Sequence, residues 1–266
     1  MLEAVSGLSL TEIFLRAEET LPEPAWQKLL TYLERRAKRE PLQYILGQAF
    51  FMGLRFKVGA GVLIPRPETE VLVEEARRLI DEKFDGRARI LDIGAGSGAI
   101  SLSLLNFCPK STAWAWEVSP DAASICLANA SALDVSGRLT LQTADFLVAA
   151  EQMGQGSARL KYDIFVSNPP YIRRDLIDGL APEVRDYEPH LALLGLDHDG
   201  LGFYRAFAQR LPALAAGAES VVLAEIGQGQ GEQVRSLFEQ ADWQDVRLLA
   251  DLCGIERVLK ATCPKS

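Results

Sequence analysis

The pattern of apolar and polar positions divides this chain into three stretches. In the first, Ser9-Leu10-Thr11-Glu12 has the form of a capping box and predicts the start of a helix. Pro24 sits near the start of a second helical pattern, which runs to about Lys38. Residues 48–62 gather aromatic and β-branched side chains around Gly53, which predicts a short hairpin. Residues 68–81 carry helical spacing and lead towards a strand. From Ala88 onward, apolar runs alternate with helical patterns, so a mostly parallel sheet covered on both faces is expected. The expected boundaries are a helical domain over 1–47, a hairpin and linker over 48–84, and an α/β domain over 85–266. Residues 148–160, rich in Gly, Gln, Ser and Ala, read as a surface loop. Residues 173–200 are long and charged, a natural place for a lid.

Candidate chemistry falls at the ends of the expected strands. Ile90-Leu91-Asp92-Ile93 runs into Gly94-Ala95-Gly96-Ser97-Gly98, and Ala99 to Leu105 continues with helical spacing. Such a strand–turn–helix lets backbone approach a ligand closely. Read with Ala99, the glycines also fit a dinucleotide pattern, so spacing alone leaves nicotinamide and flavin cofactors open. Glu117 follows the apolar run Ala113-Trp114-Ala115-Trp116, about 20 residues on, where an acid chelates ribose hydroxyls. Asp145-Phe146 follows Leu139-Thr140-Leu141 and suits an adenine, offering a polar contact and an aromatic edge. Singly, each has a bland counterpart in a surface acid or a turn. Four in order, each at a strand end, point to a nucleotide-like ligand.

The fourth is Asn168-Pro169-Pro170-Tyr171, after Ile164-Phe165-Val166. It suits an amino group in a planar conjugated system, whose delocalised lone pair must be held rather than deprotonated. The Asn168 side-chain oxygen and the Pro169 carbonyl are both acceptors for its two N–H groups. Successive prolines fix the backbone that aims them. Tyr171 offers a ring face for stacking. A strand-terminating turn is the alternative for this run taken alone.

Together with Glu40-Pro41-Leu42-Gln43-Tyr44-Ile45-Leu46-Gly47, Ile64-Pro65-Arg66-Pro67-Glu68-Thr69-Glu70, Tyr187-Glu188-Pro189 and Glu225-Ile226-Gly227, these motifs resemble the N5-glutamine methyltransferases of peptide chain release factors, the HemK/PrmC family. The likeness spans nearly the whole chain, and the Ile-Pro-Arg-Pro-Glu-Thr-Glu run is its family-specific part. It implies a seven-stranded, Rossmann-like class I methyltransferase domain behind a small helical domain that grips the substrate. It also implies S-adenosyl-L-methionine, yielding S-adenosyl-L-homocysteine, with no metal. Gly94, Ala95, Gly96, Ser97, Gly98, Glu117, Asp145, Phe146 and Asn168 would then hold that molecule. Asn168, Pro169, Pro170 and Tyr171 would hold a glutamine amide, with Asn168, Pro169 and Tyr171 serving catalysis. Two departures stand out. The ribose-binding acid is more usually Asp, and Leu196-Asp197-His198 replaces a common glycine-rich pair. Arg66, Glu68 and Glu70 have two readings, a clasp between domains or a border of the substrate entrance.

Charge narrows the substrate. A net charge of −8 opposes general binding to nucleic acid, which depends on neutralising phosphates, and disfavours an adenine-N6 methyltransferase sharing Asn-Pro-Pro-Tyr. The basic run Arg35-Arg36-Ala37-Lys38-Arg39 ends a helix, where cations complement the dipole, or else touches a partner. No apolar run reaches the roughly 20 residues that span a bilayer, and Met1-Leu2-Glu3 does not open a secretory signal. A cytoplasmic enzyme without membrane or stable nucleic-acid contact is expected. Four scattered cysteines and two histidines suggest neither zinc nor disulfides. A ribosomal-protein glutamine methyltransferase would share the site and differ in the helical domain. A non-catalytic binding scaffold should have lost a pocket residue, and none is lost.

Overall fold

The computed structural model describes residues 1–155 and 160–264. Four helices come first: α1 (Leu2–Ser6), α2 (Leu10–Leu15), α3 (Glu23–Ala37) and α4 (Leu42–Leu46). The Ser9 hydroxyl accepts the Glu12 N–H, and the Glu12 carboxylate returns a bond to Ser9, completing the expected capping box. Pro24 lies in the first turn of α3. The basic run closing α3 is held within the chain: Arg35 pairs with Glu40, while Arg36 and Arg39 both reach Glu183.

The hairpin is formed by β1 (Gln48–Phe51) and β2 (Leu54–Lys57), turning through Met52 and Gly53 with φ of 52° and 72°. Two positive φ angles suit the twist of a tight hairpin. Asn129 anchors β2 from across the fold: its Oδ1 accepts the Lys57 N–H at 2.7 Å, and its Nδ2 donates to Lys57 O and Ser97 O. A 3-10 turn over Pro67–Thr69 then opens α5 (Glu70–Phe84). Leu72, Val73, Ala76, Leu79 and Ile80 give α5 one buried face at helical spacing.

The remaining strands are β3 (Arg89–Ile93), β4 (Thr112–Glu117), β5 (Leu139–Thr143), β6 (Ile164–Ser167), β7 (Val221–Glu225), β8 (Gln244–Ala250) and β9 (Glu256–Thr262). They form one sheet in the order β5-β4-β3-β6-β7-β9-β8, parallel except for β9, which runs antiparallel between β7 and β8. Helices α6 (Ala99–Phe107) and α7 (Pro120–Ala132) share a buried cluster with α5 on one face. Helices α8 (Phe146–Gln155), α10 (Gly202–Arg210) and α11 (Gly231–Gln240) cover the other. Between β6 and α10 lie short turns and α9 (Pro182–Arg185). Both faces being covered, the central strands read as unbroken apolar runs; β6 and β7 are buried at every position. Among the described residues, no helix is long and apolar enough to cross a membrane.

One element differs from the sequence expectation. Residues 146–155 are helical, where a surface loop is expected from 148 on; residues 156–159 lie outside the described residues. Asp145 explains the helix: its Oδ1 accepts the Leu147 N–H, and its carbonyl accepts the Ala149 N–H, both at 2.8 Å. Phe146, Ala149 and Ala150 then bury one face at i, i+3 and i+4. Small and amide side chains over the later turns hide that face in the sequence.

Candidate active site

Strand order reverses between β3 and β6, and a cavity of about 290 Å³ opens beyond their carboxyl ends. Open α/β sheets bind ligands at such a switch point, where adjacent loops diverge. The β3 side contributes Gly94, Ala95, Gly96 and Ser97, and the β4 side Glu117. Asp145 and Phe146 come from the β5 end; Asn168, Pro169 and Pro170 come from the β6 end. Four separate strand ends therefore meet around one space.

The glycine turn is pinned by its neighbour strand. The N–H groups of Gly94 and Ala95 both donate to Trp116 O, at 2.8 and 3.1 Å. A Cβ built at Gly94 would meet nothing within 4 Å, so that position faces open space. Gly98 differs. With φ at +81°, its Cβ would fall 2.7 Å from both Cys126 Sγ and Leu102 Cδ1, and Gly98 is not among the cavity-lining residues. It permits α6 to pack closely on α7.

Glu117 is buried and engaged at both oxygens: Oε2 accepts the Gly96 N–H and Oε1 the Ser119 N–H, each at 2.8 Å. A carboxylate oxygen has two acceptor sites, so each keeps one for a further donor. Two acceptor sites on one carboxylate suit a vicinal diol. Phe146 is fixed by Trp116 and Phe207, with centroids at 6.1 and 5.1 Å.

Asn168 belongs to a polar network. Its Nδ2 donates to Thr69 Oγ1 at 3.2 Å, and the Thr69 hydroxyl bonds Glu225 Oε2. The Tyr171 hydroxyl bonds Glu225 Oε1 at 3.3 Å. Burial pushes the Glu225 carboxyl up to about 7; bonds from Thr69 and Tyr171 pull it down, and the charge of Glu68 adds to the rise. Tyr171 makes two further contacts. It is not among the lining residues; its carbonyl accepts a hydrogen bond from Gln230, and its ring packs against the core beneath the cavity.

Two family models and several named proteins match this chain. A model of the PrmC N-terminal domain matches residues 1–47, and a model of the methyltransferase small domain matches residues 69–179. A release factor glutamine methyltransferase of Cereibacter sphaeroides is 40% identical over 251 residues, covering 94% of this chain and 84% of its own length. The Caulobacter vibrioides protein of that name is 39% identical over 260 residues, covering 97% and 86%. The chain belongs to the release factor glutamine methyltransferase family. In fold it also matches the crystal structure of a methyltransferase from Pyrococcus furiosus, with TM-score 0.57 over 87% of this chain and 98% of that one at 14% identity.

The family-specific run now has a place. Arg66 pairs with Glu188, whose Oε2 also accepts the Ile64 N–H at 3.1 Å. Glu70 Oε1 accepts the Met52 N–H of the hairpin at 2.6 Å. Between them, Thr69 reaches Asn168. Arg66 and Glu70 therefore act as a clasp, drawing the hairpin and the 173–200 segment to the cavity, which Pro189 and Leu191 help to line. Thr69 and Glu225 are site residues that sequence reasoning missed. Each stands inside a quoted motif, and an acid ending the apolar run Val221-Val222-Leu223-Ala224 was the available signal.

Proposed function

We propose that this protein methylates N5 of the glutamine in the Gly-Gly-Gln motif of peptide chain release factors, with S-adenosyl-L-methionine as the methyl donor. The observation that carries this reading is the meeting of Asn168 and Pro169 with Gly94 and Glu117 around one cavity. The residues fit the donor. Gly94 leaves room for backbone approach, Glu117 keeps paired acceptor sites for a ribose diol, and Asp145 and Phe146 frame a flat ring.

When bound, S-adenosyl-L-methionine supplies a methyl group on a positively charged sulfur. The chain's work is positioning, since the amide nitrogen need not be deprotonated before attack; one amide hydrogen, made strongly acidic by the transfer, leaves afterwards as a proton to solvent. Asn168 Oδ1 and the Pro169 carbonyl accept the two amide N–H groups, fix the orientation of the whole amide in the cavity and raise electron density on nitrogen. A glutamate in the same place would set acceptor against acceptor, and unpaired polar groups make such rejection strong. The apolar walls Ile93, Val62 and Leu191 exclude water.

The helical domain over 1–47 would hold the body of the release factor while the Gly-Gly-Gln loop enters the cavity. The glycines of that loop let it pass a narrow mouth. The net charge of −8, with Arg36 and Arg39 already committed to Glu183, speaks against a nucleic-acid substrate. The cytoplasm, where release factors act, is the proposed location. Incubation with labelled S-adenosylmethionine and a purified release factor, followed by peptide mass mapping, tests the assignment. One methyl on the Gly-Gly-Gln glutamine is expected; label only on a ribosomal protein, RNA or DNA would overturn it.

A further inference from the structure

We propose that Thr69 and Glu225 are positioning residues that decide which end of the Asn168 amide faces the cavity. The inference rests on the reading above, in which Asn168 must present its oxygen to a substrate amide. An asparagine side chain is nearly symmetric in shape, with a donor at one end and an acceptor at the other. Turned the wrong way, it would set N–H against N–H and repel the group it should hold. Something must choose.

The hydrogen-bond inventory makes the choice independently of how the amide is drawn. Glu225 only accepts when ionised, that is, above the value of about 7 to which burial raises it, so methyl transfer is read well above that pH. The Thr69 hydroxyl has one hydrogen and lies against Glu225 Oε2, so that hydrogen is committed there. Thr69 is left with lone pairs alone on its other side, at 3.2 Å from Asn168. Only the Nδ2 end can satisfy them, which turns Oδ1 away from Thr69. Asn168 itself lines the cavity, so the oxygen is left to the substrate.

The fold makes this contact from three directions. Ser167 on β6 pairs with Ala224 on β7, so Asn168, just past β6, and Glu225, the last residue of β7, stand at the same level. Thr69 comes from the turn before α5 and is nearly fully buried, as is Glu225. The Tyr171 hydroxyl holds the other Glu225 oxygen. The charges of Glu68 and Arg257 act on Glu225 in opposite directions, and the Tyr204 hydroxyl donates to its backbone carbonyl. Glu225 does not line the cavity, so it acts only through Thr69.

The test is a double-mutant cycle between Thr69→Val and Asn168→Ala, read by single-turnover methyl transfer at saturating S-adenosylmethionine. Thr69→Val alone should slow transfer by on the order of 30-fold, the effect of one lost hydrogen bond and a freed amide. The Kd for S-adenosylmethionine should move by less than about 3-fold. Thr69→Ser should restore most of the rate. On the Asn168→Ala background, Thr69→Val should cost almost nothing more, because the group it orients is gone. Full additivity, or no rescue by serine in a folded protein, would overturn the proposal. Thr69→Ala, which adds no bulk, takes the place of valine if that variant does not fold.

A readout free of activity separates this inference from the substrate assignment. In wild-type protein, the Asn168 side-chain NH2 resonance, assigned by its loss in Asn168→Ala, should show one proton protected from exchange. Thr69→Val should abolish that protection. An unprotected wild-type amide would refute the relay even if methyl transfer proceeds. A protected amide in a protein inactive on release factors would refute the substrate assignment and leave the relay standing.

Discussion

Glu117 Oε2 accepts the Gly96 N–H at 2.8 Å, so the acid at the end of β4 also orders the glycine turn beyond β3. Side chain and turn therefore form one preassembled surface, and cofactor binding need not order either. Glu117→Ala removes two acceptor sites for the ribose and loosens Gly96. Both effects act about equally in ground and transition states. The Kd for S-adenosylmethionine should rise by at least about 10-fold while saturated turnover changes little. Calorimetry showing unchanged affinity would remove Glu117 from the ribose site.

Gly98 separates packing from ligand contact. Gly98→Ala places a methyl where Cys126 Sγ and Leu102 Cδ1 already stand at 2.7 Å, on a backbone with φ of +81°. Overpacking and strain should destabilise the protein by roughly 1–3 kcal/mol, lowering the urea midpoint. The cofactor Kd of the folded fraction should stay close to wild type. A Gly98→Ala protein of wild-type stability with lost cofactor binding would reverse this assignment.

Much of the fold was legible because its signals are local. Capping at Ser9, the turn at Gly53 and the apolar runs of β3, β4 and β6 depend on neighbours in sequence. Four of the cavity's walls were legible for the same reason, each being a strand end. Long-range choices were not. Nothing near Tyr171 in sequence says that its hydroxyl will turn to Glu225, 54 residues away. Asn129 looks like any helical asparagine until it meets Lys57, 72 residues earlier. Helix α8 is not legible in the sequence because its later turns carry little apolar periodicity, although Asp145 and Phe146 at its start stand out as an adenine-binding pair.

Two buried acids should make stability depend on pH. Burial pushes Glu225 up to about 7 and Asp92 up to about 6. The same groups titrate near about 4 in an unfolded chain. Between those limits the native state binds protons that the unfolded state has lost, so stability falls as pH rises. The Glu225 contribution is roughly 3 kcal/mol across its window. The Tm should therefore be higher near pH 5.5 than near pH 8, and Glu225→Gln should flatten that difference. Calorimetric scans showing the same slope in both proteins would contradict it.

Arg66 matters through Glu188. The Glu188 side chain is 1% exposed, and its partners are Arg66 and the Ile64 N–H. Arg66→Ala strands a buried carboxylate and should cost up to about 3 kcal/mol. The loss should be local first, with amides of residues 184–194 exchanging faster while those of β3 and β6 stay protected. Since Pro189 and Leu191 line the cavity, KM for the protein substrate should rise as well. Uniform exchange across the chain would argue against a clasp.

The central claim, that a glutamine amide is held for methyl transfer at the end of β6, is tested most directly by single-turnover kinetics of Asn168→Ala. Saturating S-adenosylmethionine, a release factor acceptor and circular dichroism to confirm folding complete the experiment. Removing one acceptor leaves an amide N–H unsatisfied, at about 1–3 kcal/mol, and lets the amide turn away from the methyl group, adding up to about 100-fold. The rate should fall by about two orders of magnitude or more, with cofactor affinity nearly unchanged. A folded Asn168→Ala protein that transfers methyl at the wild-type rate would contradict the account.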